Sequence, residues 1–217
     1  MSDQMMRTTA YSRIESLLNE GTIQPGQLIS QRELVELTGT TLGSIREAIS
    51  RLEAEGLLQA LPKRGLMVPS MDVAFIREAY QLRMLLELGS VDDAIQNIPR
   101  ASIADWIQAN EQALHGDDIA TQDEADALQK LDWKIHSAMI ASMRNDLVMN
   151  VYRVTAIKIR MAVQHRLRVT PYMSNRVATE HLAFLVPMYD GDATACRAAL
   201  ETHIAKSLTL ALGGTPS

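Results

Sequence analysis

The sequence predicts a mainly α-helical protein in two parts: an N-terminal winged helix-turn-helix with a small β-hairpin wing, then an all-α bundle of six helices. Three observations carry this. Ser30 and Glu33 form a capping box that opens a short stretch with an apolar face, which Gly39 ends. Thr41, a good N-cap, then opens a second stretch in which Ile45, Ala48, Ile49 and Leu52 recur at helical spacing. Finally, two short apolar segments, 57–60 and 66–68, flank the basic turn Leu61-Pro62-Lys63-Arg64-Gly65, and from Asp72 onward only helical spacing is found.

The bulk numbers allow this architecture. A chain of 217 residues, 47% apolar, can bury one large core or two small ones. No apolar run is long enough to span a bilayer, and the start MSDQMMRTT lacks an apolar signal core. Cys196 is the one cysteine, which excludes an internal disulfide and a cysteine-based zinc site and fits a reducing cytoplasm. Net charge is −5, with 7 basic and 8 acidic residues up to position 70. Any contact with nucleic acid must therefore use a local basic patch, and fits a dimer better than bulk attraction.

In order, residues 10–20 form a first amphipathic helix, with Ile14, Leu17 and Leu18 on one side. Gly21 ends it and Pro25-Gly26 turns the chain. The two short helices follow, and Ser44, Arg46, Glu47, Ser50 and Arg51 are expected on the outward face of the second. Alone, this pair fits any helical hairpin. The hairpin with its basic tip makes it the winged form, whose tip can approach a phosphate backbone or a minor groove. Val68-Pro69-Ser70 is a short junction, giving parts 1–70 and 71–217. The six later helices are expected at 72–97, 102–115, 123–143, 146–168, 174–190 and 192–212, with Pro187 inside the fifth. Trp106 and Trp133 read as core, His115 and His165 as ordinary packing or surface residues, and the methionines as gap-fillers.

Residues 10–68 resemble the winged helix of the GntR family of bacterial transcription regulators. The resemblance rests on Pro25-Gly26, Arg32-Glu33-Leu34, Thr38-Gly39, Ile45-Arg46-Glu47-Ala48-Ile49, Arg51-Leu52-Glu53, Glu55-Gly56-Leu57 and Arg64-Gly65. It implies that Arg32, Ser44, Arg46 and Gly65 occupy DNA-contacting positions. With the helix start and the wing tip, the candidate DNA-reading set is Arg32, Thr41, Leu42, Ser44, Arg46, Arg51, Lys63, Arg64 and Gly65. One departure stands out: the family usually has Ser-Arg where this chain has Thr41-Leu42. Leucine cannot give a bidentate bond to guanine; it can touch a thymine methyl, or simply pack.

In the second part, Asp132 and His136 are four apart and share a helix face, while His181 and His203 lie on later helices. Three imidazoles and a carboxylate suit zinc, nickel or manganese, although each residue alone also fits a packed or surface position. Residues 72–212 resemble the FCD effector domain, through Arg83, Leu86-Glu87, Asp132, His136, Asn145, Glu180-His181, Gly191-Asp192 and His203-Ile204. This resemblance implies that Asp132, His136, His181 and His203 bind a divalent metal. Ile135 departs from the aromatic usual before the first histidine, and six helices point to the shorter, VanR-like subgroup.

No acid occurs between Asp146 and Glu180, whereas Arg153, Lys158, Arg160, Arg166, Arg168 and Arg176 do. Arg153 and Arg160, seven apart, or Arg83 are candidates to fork a small carboxylate beside the metal; most of the others fit a basic outer face. The expectation is a metabolite-responsive repressor, a homodimer on double-stranded operator DNA, whose effector is a small organic acid. Two alternatives stay open: a metal-dependent enzyme using the Asp/His3 set, and a regulator whose metal is purely structural.

Overall fold

The structure is a computed structural model and describes residues 3–114, 120–167 and 169–215, with side chains left out of account at 3–9 and 163–167. His115, Arg168 and the side chains of His165 and Arg166 lie outside what is described. The described residues divide into two compact units. The first comprises residues up to Phe75 together with Val154–Gln164, and the second Ile76–Arg153 with the chain from His165 onward.

In the first unit, helix α1 (Asp3–Glu20) is followed by strand β1 (Leu28–Ile29), helix α2 (Gln31–Thr38), helix α3 (Leu42–Ala54) and strands β2 (Gln59–Leu61) and β3 (Gly65–Met67). The capping box at Ser30 is present in full: Glu33 N donates to Ser30 Oγ at 3.1 Å, and Ser30 N donates to the Glu33 carboxylate at 2.7 Å. Gly39 caps α2 in the left-handed region, with φ of 59°. Thr41 caps α3, accepting from Ser44 N at 3.2 Å. Ile14, Leu18, Leu34, Ile45, Leu52, Leu57 and Leu66 meet in one core.

Several expectations need adjustment. The first helix begins at Asp3, not residue 10. The wing is three-stranded, because β1 pairs with β3 through Leu28–Met67 and Ile29–Leu66. Ser44 is not on the outward face of α3: it is 3% exposed, and its hydroxyl lies 2.9 Å from that of Thr41. Nothing in the sequence foretold that Ile157 and Met161, on a helix near residue 160, complete the first unit's core.

In the second unit the expected first helix is two, α4 (Val73–Gly89, most of it here) and α5 (Val91–Asn97). The interruption is slight, since Ser90 N still donates to Leu86 O at 3.1 Å and Ala94 N to Ser90 O at 2.8 Å. Seven helices are thus described after the wing, so helix number does not select the subgroup. The others are α6 (Arg100–Gln112), α7 (Gln122–Ser142), α8 (Asp146–Leu167), α9 (Ser174–Asp190, with Pro187 inside it) and α10 (Ala193–Ala211). Helix α9 packs on both α6 and α10, which makes it the centre of this unit. Trp106 is buried as expected, and Trp133 is only half-buried.

Candidate functional site

The side chains that matter in the second unit come from six helices. A second full capping box, Thr121 with Glu124, fixes the start of α7. From there Asp132 and His136 stack on one face, one turn apart. Helix α9 supplies His181 and α10 supplies His203. One ligand atom from each of these four residues lies within 4.8 Å of the other three. The sequence therefore named a set that the fold does bring together.

Each imidazole is gripped from behind. His136 Nδ1 donates to Glu87 Oε2 at 2.7 Å, His181 Nδ1 to Asn110 Oδ1 at 3.0 Å, and His203 Nδ1 to Glu180 Oε2 at 2.9 Å. The direction of these bonds follows from the partners. A carboxylate can only accept, and Asn110 spends its amide nitrogen on Trp106 O at 2.8 Å, which turns its oxygen to His181. With Nδ1 carrying the proton, each Nε2 faces inward with a lone pair when the ring is neutral.

The grips are themselves braced. Glu87 is fully buried and accepts from Arg83 Nε at 2.6 Å and Tyr152 Oη at 2.9 Å. Burial would push Glu87 up, yet the charges of Arg83 and His136 outweigh it and hold the carboxyl down, at about 2. Glu180 accepts twice from Arg176, at 2.8 and 2.9 Å. Burial would also push Asp132 up, but its bonds with His136 and His181 keep it well below the usual carboxylate range. Among the rings, burial pushes His203 down to about 4 and lowers His181, whereas the Glu87 charge overcomes burial and raises His136 to about 9. Phe184, fully buried, touches all three imidazoles with ring centroids 5.6–5.9 Å away and closes one side with hydrocarbon.

This arrangement fits a divalent cation. His203 Nε2 is buried with no hydrogen-bond partner, and His136 Nε2, also buried, has only the Asp132 carboxylate oxygen in front of it, at 3.5 Å. His181 Nε2 lies 3.0 Å from Asp132 Oδ1. With the Nδ1 proton spent on Asn110, that is a lone pair against a carboxylate oxygen, an arrangement that a cation between them would make favourable. Three nitrogens and one oxygen match the ligand chemistry of zinc, nickel or manganese, and the outer acceptors match the usual carboxylate or carbonyl behind a ligating histidine. Glu87 and Asn110 were not singled out as outer partners from sequence; only contact across the fold identifies them.

The candidate effector arginines separate. Arg83 is tied to the cluster through Glu87. Arg153 instead donates to Asn150 Oδ1 at 2.9 Å, and Arg160 Nε to Ala156 O at 3.1 Å within the segment that groups with the first unit. Tyr80 stands one turn before Arg83, whose guanidinium carbon is 5.7 Å from its ring centroid. Its hydroxyl is buried and forms no hydrogen bond, and burial pushes it up to about 12.

On the first unit, Arg32, Leu42 and Arg46 are exposed around the start of α3, and Lys63, Arg64 and Gly65 are exposed at the wing tip. Arg46 Nε donates to Gln31 Oε1 at 3.3 Å, a neighbour the sequence did not suggest. Thr41 serves as the cap. Arg51 leans back onto the fold: its guanidinium lies 3.9 Å from the Tyr11 ring centroid and pairs with Glu55 at 3.1 Å. Lys63 has φ of 62° and Gly65 of 97°, so the tip is a tight left-handed turn.

A three-helix unit with a winged hairpin, followed by an all-helical unit, is the architecture of a transcription regulator. Residues 6–68 match the family of bacterial regulatory proteins called gntR, and residues 78–206 match the FCD domain. The chain belongs to the GntR family of transcriptional regulators, in the branch that carries an FCD domain. It is 26% identical over 144 residues to the HTH-type transcriptional regulator YdhC of Bacillus subtilis, covering 65% of this chain and 62% of that one. It is 26% identical to the Nta operon transcriptional regulator of Aminobacter aminovorans, over 84% of this chain and 83% of that one. In fold it is similar to E. coli McbR/YncC, with TM-score 0.80 over 98% of this chain and 99% of that one at 16% identity. These relatives are regulators of transcription. No helix among the described residues is long and apolar enough to cross a membrane.

Proposed function

We propose that this protein is a metabolite-responsive repressor, acting as a homodimer on double-stranded operator DNA in the cytoplasm. Its second unit holds a divalent metal, zinc in the first place, on Asp132, His136, His181 and His203. The observation that carries this is the convergence of one ligand atom from each of the four residues within 4.8 Å, with His203 Nε2 buried and unpartnered and the Nδ1 of every ring already fixed. When bound, the metal supplies an electrophilic attachment point for one oxygen of a small carboxylate. Glu87, Asn110 and Glu180 hold the rings in orientation, and Phe184 keeps water from one side.

Arg83 is the arginine we assign to the effector. Its Nε is committed to Glu87, which fixes the guanidinium plane beside the cluster, where its charge would attract an anion. Tyr80 supports a polar guest at the same place, because a buried hydroxyl without an acceptor is costly unless a ligand or water completes it. Effector binding then shifts operator affinity only if the acid prefers one of two arrangements of the protein. A preference of about 1–3 kcal/mol gives a useful switch.

The test is operator binding by the zinc-loaded protein with and without a panel of small carboxylates, repeated with His136→Ala/His181→Ala. The expected result is an acid-dependent change in wild type that the double variant lacks. A double variant that still responds would refute the metal's part in sensing. If chelation unfolds the second unit while no acid alters DNA affinity, the metal is structural only.

A further inference from the structure

We propose that Leu42 is a base-reading residue, and that each operator half-site carries a thymine whose 5-methyl group this side chain covers. The inference does not depend on the metal or the acid.

The argument begins with what Leu42 does not do. It is 43% exposed, although neighbouring apolar residues of α3 are buried: Ile45, Ala48, Ile49 and Leu52 all lie in the core. The sequence left open whether Leu42 packs; the fold turns it outward, at the first residue of the second helix of the helix-turn-helix. That end of such a helix is the one that enters the major groove and reaches base edges. The surroundings are cleared for close approach. Residue 43 is glycine, and a Cβ added there would meet nothing nearer than Thr41 Oγ1 at 3.9 Å. Ser44 is folded under into the cap. The outward stripe therefore begins Leu42, then Arg46 one turn later, with Gln31 beside it.

An isobutyl group has no hydrogen-bonding power, so it cannot read guanine, adenine or cytosine through their donors and acceptors. The thymine methyl is the one apolar mark in the major groove. A polar base edge held against Leu42 would lose water and gain no bond in return, which penalises the other bases at that position. Arg46 and Gln31 can satisfy the hydrogen-bonding edges next to it.

The experiment uses the full-length protein. Preferred duplexes are first selected from a random pool. Each thymine of the selected half-site is then replaced, one at a time, by uracil, which pairs identically and lacks only the methyl. Wild type is expected to lose about four-fold in affinity per half-site at one position, the worth of one buried methyl-sized group. Leu42→Ala, a surface change that leaves the core untouched, is expected to bind the thymine and uracil forms of that duplex alike. The proposal is overturned if the half-site holds no thymine, if no uracil substitution weakens wild type, or if the Leu42→Ala protein keeps the thymine preference. A pool that yields no preferred sequence overturns it together with the reading of α3 as a recognition helix, whereas failure at uracil alone leaves that reading intact.

Discussion

Asn110 shows how much one side chain decides in this molecule. Its amide nitrogen is spent on Trp106 O, and its oxygen sets which nitrogen of His181 carries a proton. Asn110→Leu keeps the approximate volume and removes that control. Metal affinity should fall about 10- to 100-fold, with the helical signal unchanged, as read by competition with a chelating dye. The four converging residues were visible in the sequence because Asp132 and His136 share a helix turn and the rest completes a family pattern. Glu87 and Asn110 act across 49 and 71 positions, and a contact of that kind leaves no periodic trace. Ser30 is the opposite case, since a capping box is local. Ser30→Ala should cost about 0.5–2 kcal/mol in urea unfolding of the first unit. The backbone and side-chain bonds from Ser30 hold Glu33 below its usual range. That contribution is therefore present above the unfolded glutamate's pKa and is lost as pH falls through the lowered folded one. The difference in melting temperature between wild type and Glu33→Gln, followed against pH, should narrow in that acid window.

Among the elements, the wing depends on one backbone position. Gly65 has φ of +97°, and a Cβ there would stand 3.0 Å from Ile29 O on the neighbouring strand. Gly65→Ala is strained both by its dihedral and by its neighbour, so a loss of about 1–3 kcal/mol is expected on denaturant unfolding. DNA affinity should weaken as the tip is displaced. The hairpin was legible from its turn residues, but strand β1 was not. Two residues, Leu28 and Ile29, give no alternation to read, and only pairing with β3 makes them a strand. The break at Ser90 was missed for a related reason: the backbone bonds continue through it, so the apolar spacing barely changes.

At the scale of the molecule, helix α8 belongs to two cores. Tyr152 serves Glu87 in the second unit, while Ile157 and Met161 are buried among the winged-helix residues of the first. Ile157→Ala should therefore destabilise the first unit by about 2–5 kcal/mol, although it lies more than eighty positions beyond the wing. Exchange protection of amides in α1 and α3 would report it. A pattern of apolar residues says that a helix buries a face and is silent on what covers that face, which is why this was not foreseen. For the second unit, zinc held at about a hundred times its dissociation constant should add about 2.7 kcal/mol of stability, removable by chelation and absent in His136→Ala/His181→Ala. DNA affinity should fall linearly with the logarithm of salt concentration, with a slope set by the phosphates that Arg32, Lys63 and Arg64 neutralise.

By itself the sequence determined most of the helices, the caps at Ser30 and Thr41, the basic turn and the shared face of Asp132 and His136, because each is written in spacings of a few residues that local geometry enforces; His181 and His203 were legible only through the family pattern. The tertiary structure alone decided that Ser44 turns under while Leu42 turns out, that Glu87 and Asn110 set the histidine rings, and that the middle of α8 joins the first core. Those outcomes depend on which surfaces exclude water from one another. That is settled by packing between segments far apart in the chain, where residue order exerts no direct constraint.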